Sequence, residues 1–245
     1  PGNDDPFANY VIGPTVAINP GNAFLVPANS PYQTMEDILA AAEAGTPVRV
    51  AIQPGGVSEI GFTAMQNAAR VNAPGSEANV VAVNTGSQAD KNQAMWDGLA
   101  DVINGSIQAN EQFTQLPADD AKAMRFVWIT ARPATLEQAP EAGMGDTTRD
   151  DFMQFASPAT SVTLDGSEDF AFDKEFFLLY NKDMDPALMD TIDAALAEIY
   201  AEGSIQQKQA AAFFIPNFQA RDAALAHLSA KRDRISGIVN QLKAE

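Results

Sequence analysis

The sequence has no cysteine and only one histidine, which excludes several kinds of site. Disulfides, thiolate metal ligands and cysteine nucleophiles all require a residue that is missing. A single histidine, His227, is too few for the usual transition-metal site. Nucleotide-binding glycine motifs, GxGxxG and the P-loop, are also missing. We therefore predict no metal and no cofactor.

Basic residues are scarce as well, and long apolar runs are missing. The chain carries 15 lysines and arginines against 32 acidic residues, a formal net charge of -17. This balance opposes binding to nucleic acids and to anionic membrane surfaces. No apolar run approaches the roughly 20 residues that cross a bilayer. With 245 residues and 46% hydrophobic content, the chain is long enough for a buried core in one or two domains.

Short apolar runs alternate with helical patterns in the first 130 residues of the chain. A capping box at Thr34 and Asp37 predicts a helix that is stopped by Gly45. Alternation of strand and helix predicts an α/β protein with a mostly parallel sheet. Strands are predicted at 48–52, 79–83, 100–103 and 126–129, with helices at 35–43, 58–71 and 88–96. A buried strand at 175–180 and a helix capped by Asp185 are predicted later in the chain.

Three glycine-containing turns follow successive predicted strands. The first has Gly55, Gly56 and Val57 as amide donors and Ser58 as the helix cap. Equivalent turns follow the next two strands, at Thr85-Gly86-Ser87 and at Asn104-Gly105-Ser106. Where such turns lie side by side at the carboxyl ends of parallel strands, a ligand crevice forms between them. Free amides at helix starts favour an anionic ligand.

Catalysis remains an alternative at this point. The segment around Ser58 misses the nucleophile-elbow spacing by one residue, but pairs of carboxylates could act as acid and base. An enzyme on a two-lobed α/β scaffold, or a sensor or scaffold domain, therefore stays open beside a binding protein.

Four stretches of the chain resemble, in order, the extracytoplasmic solute receptors of tripartite tricarboxylate transporters, known as the Bug or TctC-like family. They are FLVPANSPYQTMEDILAAA, VRVAIQPGGVSEIGFTAM, VVAVNTGSQADKNQAMWDGLADVINGS and FDKEFFLLYNKDMDPALMDTIDAALAEI. The resemblance implies a type II periplasmic-binding-protein fold, in which two lobes close on a small carboxylate like a Venus flytrap. It also implies location outside the cytoplasm and delivery of the ligand to membrane permease subunits.

The resemblance further predicts how the lobes use the chain. Lobe one is expected to comprise residues 1–26 and 173–245, and lobe two residues 27–172. Relatives carry a further strand and helix before the segment matched by residues 5–10, so lobe one is expected to be incomplete. Glu59 falls where many relatives have histidine, within the turn that holds the ligand carboxylate. Phe176, on a strand at the junction of the lobes, is a candidate to cover the ligand's apolar part.

Overall fold

The computed structural model describes residues 6–156, 162–163 and 169–243 and shows an α/β protein, as predicted. Ten α-helices and eight strands lie in the described ranges. The helices are α1 Pro6–Asn9, α2 Met35–Glu43, α3 Val57–Asn72, α4 Gln88–Trp96, α5 Ile107–Thr114, α6 Pro133–Leu136, α7 Arg149–Met153, α8 Pro186–Glu202, α9 Ser204–Ala211 and α10 Arg221–Lys243. The strands are β1 Tyr10–Asn19, β2 Asn22–Pro27, β3 Val48–Ile52, β4 Val80–Asn84, β5 Val102–Ser106, β6 Met124–Ile129, β7 Lys174–Asn181 and β8 Ile215–Gln219.

The chain divides into two compact units. Unit one combines Pro1–Asn19 with Lys174–Glu245, and unit two is the continuous stretch Pro20–Asp173. The boundary predicted at residue 26 comes too late, because β2 pairs with β5 and β6 of unit two. Unit one therefore receives α1 and β1, but not β2, from the first part of the chain.

Unit two is built on a five-stranded mixed sheet with the order β4-β3-β5-β2-β6. β3 runs parallel to both β4 and β5, whereas β2 runs antiparallel to β5 and β6. Its strands are apolar, and Phe24 stacks on Trp128 with ring centroids 4.7 Å apart. Both side chains are fully buried, so the antiparallel half of the sheet forms the centre of this core.

The helices of unit two begin largely where the sequence predicts. Thr34 Oγ1 accepts a hydrogen bond from Asp37 N, and Asp37 Oδ2 accepts from Thr34 N, which confirms the capping box. The amides of Gln33 and Thr34 hold the pKa of Asp37 below its ordinary value. α4 has the predicted bounds, and α3 extends the predicted helix by one residue at each end.

Two strand predictions in unit two need correction. β4 begins and ends one residue after the predicted 79–83. The strand predicted at 100–103 lies instead at Val102–Ser106, because Ala100 N donates to Ala94 O near the end of α4. Asn104 and Gly105 are consequently strand residues and not a turn.

Unit one holds a three-stranded antiparallel sheet in the order β7-β1-β8. The prediction that the strand at 175–180 is buried is wrong for most of its length. Phe176 and Leu179 are 45% and 43% exposed, because β7 is an edge strand that pairs on one side only. Tyr180 is the buried member of β7, and its hydroxyl donates to Asp193 of α8.

A buried carboxylate joins α10 to β7. The side chain of Glu175 is 2% exposed, and its Oε2 lies 2.7 Å from His227 Nε2 and 3.1 Å from Lys231 Nζ. Asn217 Nδ2 donates to the other carboxylate oxygen. A buried anion must be paired in this way, since an unpaired one would cost several kcal/mol.

We predict that Glu175→Gln destabilises the protein. The substitution removes the negative charge that lies 3.1 Å from Lys231 Nζ and 2.7 Å from His227 Nε2, at a carboxylate that is buried. The free energy of unfolding in urea should fall by about 3 kcal/mol. Glu198→Gln is the control, because Glu198 is exposed on α8 of the same unit, and this change should cost less than about 0.5 kcal/mol. Equal losses in the two variants would contradict the role of Glu175.

We also predict that Gly21→Ala is strongly destabilising. Gly21 has φ +111, and a Cβ at this position would lie 2.6 Å from both Phe172 O and Thr130 Oγ1. Left-handed backbone and a backbone clash together should remove about 2–4 kcal/mol from the free energy of unfolding. Gly45→Ala is the control, since Gly45 has φ +84 but no neighbouring atom within 4 Å. It should cost about 1 kcal/mol, and a loss of the same size at both positions would show that the clash is unimportant.

Candidate functional site

The three predicted turns lie at one edge of the sheet in unit two. β4, β3 and β5 are neighbours and run parallel, so their carboxyl ends point the same way. The register pairs Ile52 with Asn84 and Ala51 with Ile103. On the far side of β5, Ser106 pairs with Asn22, where the antiparallel β2 begins. The starts of α3, α4 and α5 follow from these strand ends.

The β3–α3 turn is largely satisfied by its own residues. Glu59 Oε2 accepts a hydrogen bond from Gly55 N at 2.7 Å, and Gln53 O accepts from Gly56 N at 3.1 Å. Ser58 does not cap the helix as predicted, because Gly56 is the N-cap and Ser58 is already helical. Its hydroxyl oxygen accepts from Gln53 N at 2.9 Å, and the residue is buried.

One predicted donor of this turn stays available. Within the described part of the chain, no protein atom accepts from the amide of Val57. This amide is the first in a 16-residue helix, whose positive end favours negative charge. The turn therefore offers fewer free donors than the sequence suggests.

The β4–α4 turn is more open. Both hydrogen-bond donors of Thr85 are already used, since its amide and its hydroxyl donate to Ile52 O at 2.8 Å. Ser87 is the N-cap of α4, and its hydroxyl oxygen accepts from Asp90 N at 3.2 Å. That hydroxyl still has its own proton to donate. The amides of Gly86 and Ser87 have no acceptor among the described residues.

Ser106 lies at the end of β5 and is occupied by neighbouring groups. Its hydroxyl donates to Gln108 Oε1 at 2.7 Å, and its amide donates to Gln88 Oε1 at 3.2 Å. Gly105 lies against this cluster, and a Cβ there would approach the Gln88 side-chain amide to 2.5 Å. Gly105 thus gives the Gln88 side chain room beside the strand, and it is not part of a turn.

Sequence reasoning missed a buried polar layer at this edge. Lys91, only 5% exposed, donates from Nζ to Asn104 O at 2.7 Å. Asn22 Nδ2 donates to Asn104 Oδ1 at 2.8 Å, and Asn104 is fully buried. Asn22 and Asn104 gave a signal as polar residues in apolar strands, which are costly unless hydrogen-bonded, whereas Lys91 lies in a polar helix and gave none. The layer places the amino group of a lysine near the carboxyl end of β5.

Phe176 is the one predicted site residue outside unit two. It lies on β7 of unit one, and its ring meets Phe214 edge to face at 5.5 Å. Its proposed contact with a ligand stays a prediction.

The described residues contain neither a candidate metal site nor a candidate membrane span. Residues 6–156, 162–163 and 169–243 contain no group of three or more histidine, cysteine or acidic residues that could hold a metal ion. None of the helices there is both long enough and apolar enough to cross a membrane.

Comparison with known proteins reveals similarity in structure and not in sequence. No protein-family model matches the chain, and no curated protein does. A TctC solute-binding protein from Polaromonas, solved without ligand, superposes with a TM-score of 0.60 at 15% identity, over 98% of this chain and 72% of its own.

Two further structures of this kind contain carboxylates. The Rpa4515 protein of R. palustris with adipate has a TM-score of 0.68 at 11% identity, over 98% of this chain and 71% of its own. MatC from Rhodopseudomonas palustris with bound malate has a TM-score of 0.62 at 12% identity, over 95% of this chain and 69% of its own. The chain therefore has the two-lobed fold of the periplasmic TctC-type solute-binding proteins, which confirms at the level of fold what the sequence resemblance predicts.

Proposed function

We propose that this protein is a solute receptor that binds a small organic acid through its carboxylate. The observation that carries the proposal is the β4–α4 turn, where the amides of Gly86 and Ser87 and the Ser87 hydroxyl are free to donate. Two proteins of the same fold were solved with adipate and malate. Both ligands are carboxylates, which is the class of anion that such a turn favours.

Main-chain donors are strong enough for this task. Each hydrogen bond to a charged group contributes roughly 1.5–3 kcal/mol, and a helix start adds up to about 2 kcal/mol. Three or four donors could reach the roughly -8 kcal/mol of micromolar binding after the costs of association. A salt bridge to the ligand is therefore not required.

The overall acidity of the protein does not prevent anion binding at this edge. Charges more than about 8 Å away are largely screened at physiological ionic strength, so nearby groups decide. Lys91 is buried against β5 with its amino group on Asn104 O, at a place where solvent screens charge poorly. The net charge of -17 instead slows the encounter with an anionic ligand.

We further propose that the receptor acts outside the cytoplasm and delivers its ligand to membrane permease subunits of a tripartite tricarboxylate-type transporter. The periplasmic proteins that share its fold support the location. We propose binding without turnover. The ligand-binding set is then Val57, Gly86 and Ser87, with Gly55, Gly56, Ser58, Glu59, Thr85 and Ser106 shaping the turns, and with Phe176 still an untested contact.

Two substitutions at Ser87 test the effect of charge at the turn, because both keep the helix cap and only one is charged. Ser87→Asp keeps a capping oxygen for Asp90 N but adds a negative charge at the turn. The side chain introduced by Ser87→Asn has nearly the same shape as the one introduced by Ser87→Asp and caps the helix equally well, but it is neutral. We expect titration calorimetry with a panel of small carboxylates to show at least about tenfold weaker binding by Ser87→Asp. Ser87→Asn should bind within a few fold of the unchanged protein.

Two outcomes would contradict the proposal. One is equal affinity of the Asp and Asn variants, which would place the carboxylate elsewhere. The other is no binding of any carboxylate by the unchanged protein. NMR spectra of the ligand after prolonged incubation test turnover, and a chemically altered ligand would favour an enzyme.

A further inference from the structure

The β3–α3 turn carries a carboxylate of its own. Glu59 is the third residue of α3, and its Oε2 occupies the acceptor position on Gly55 N at 2.7 Å. The residue is exposed and forms no ion pair within the part of the chain that the structure describes. Its negative charge is thus unneutralised by the protein at a turn where a ligand anion would otherwise bind.

The neighbouring turn differs in that no carboxylate of any residue that the structure describes accepts from its amides. At the β4–α4 turn, Ser87 supplies the capping oxygen as a neutral hydroxyl. Asp90 also stands in the first turn of α4, and its Oδ2 would lie 3.1 Å from a Cβ on Gly86. That carboxylate nevertheless accepts none of the turn's amides, so the Gly86 and Ser87 donors stay available.

We infer that Glu59 is a specificity-determining residue, which makes the β3–α3 turn select a hydrogen-bond donor of the ligand and exclude a second carboxylate. This inference rests on the proposed function. A ligand carboxylate near Gly55 would lose that amide to Glu59 and would face a like charge at close range. A hydroxyl or ammonium group could instead donate to the free lone pairs of the Glu59 carboxylate.

The ligand class follows from the difference between the two turns. The carboxylate of the ligand binds at the β4–α4 turn, and the opposite end carries a hydroxyl or an amine that reaches Glu59. Such a ligand is a hydroxy acid or an amino acid with its two polar groups at opposite ends. A symmetric dicarboxylate finds free amides at the β4–α4 turn, but at the β3–α3 turn it meets a carboxylate that already holds the Gly55 amide.

Titration calorimetry with acids of equal carbon-chain length but different end groups tests this inference. One series is succinate, 4-hydroxybutyrate and 4-aminobutyrate, and a longer one is adipate, 6-hydroxyhexanoate and 6-aminohexanoate. We expect the unchanged protein to bind the hydroxy or amino acid at least about tenfold more tightly than the dicarboxylate of the same length. Glu59→Gln, which removes the charge but keeps the shape, should reduce this ratio to near one.

Glu77→Gln is the matched control. Glu77 Oε2 accepts from Gly75 N at 2.8 Å, a contact of the same kind at a turn that precedes β4 and not at the carboxyl edge. This variant should keep the unchanged protein's preference. Preference of the unchanged protein for the dicarboxylate, or the same ratio in Glu59→Gln, would overturn the inference while leaving the proposed function intact. If no acid of either series binds, the proposed function and the inference both fail.

Discussion

Parallel pairing of β3 with β4 and β5 is the constraint on which the candidate site depends. Because the three strands are neighbours and run the same way, the helices that follow them start at one edge of unit two. With respect to the described residues, the β4–α4 turn leaves three donors free and the β3–α3 turn one, whereas the donors of Ser106 are occupied. These donors can act on one ligand because the topology of the sheet brings them to the same edge. No single side chain could replace that arrangement.

Much of this arrangement could be predicted from the sequence, because the responsible signals are local. The Thr34–Asp37 capping box, the apolar run at Val48–Ile52 and the bounds of α4 all depend on residues within a few positions of one another. The alternation of strand and helix was enough to predict parallel strands, whose carboxyl ends share one edge. The resemblance to TctC-like receptors added the fold type.

What could not be predicted depends on the path of the backbone and on the position of each strand in its sheet. The hydrogen bond from Ala100 to α4 moved the start of β5, and the edge position of β7 left Phe176 exposed. The contacts of Glu59 with Gly55 and of Ser58 with Gln53 span only a few residues, but they depend on the path of the turn. These contacts determine which amides remain free for a ligand. They therefore change the chemistry expected of the site, although they leave the fold unchanged.

The insertion of unit two within unit one has a consequence for folding. Pro20–Asp173 is continuous, so this unit can collapse on its own as the chain leaves the ribosome. β1 has to wait, because both of its partners, β7 and β8, lie after the insertion. Closing so long a loop is entropically slow and leaves an apolar strand unpaired during synthesis, so unit one is where a chaperone would be needed.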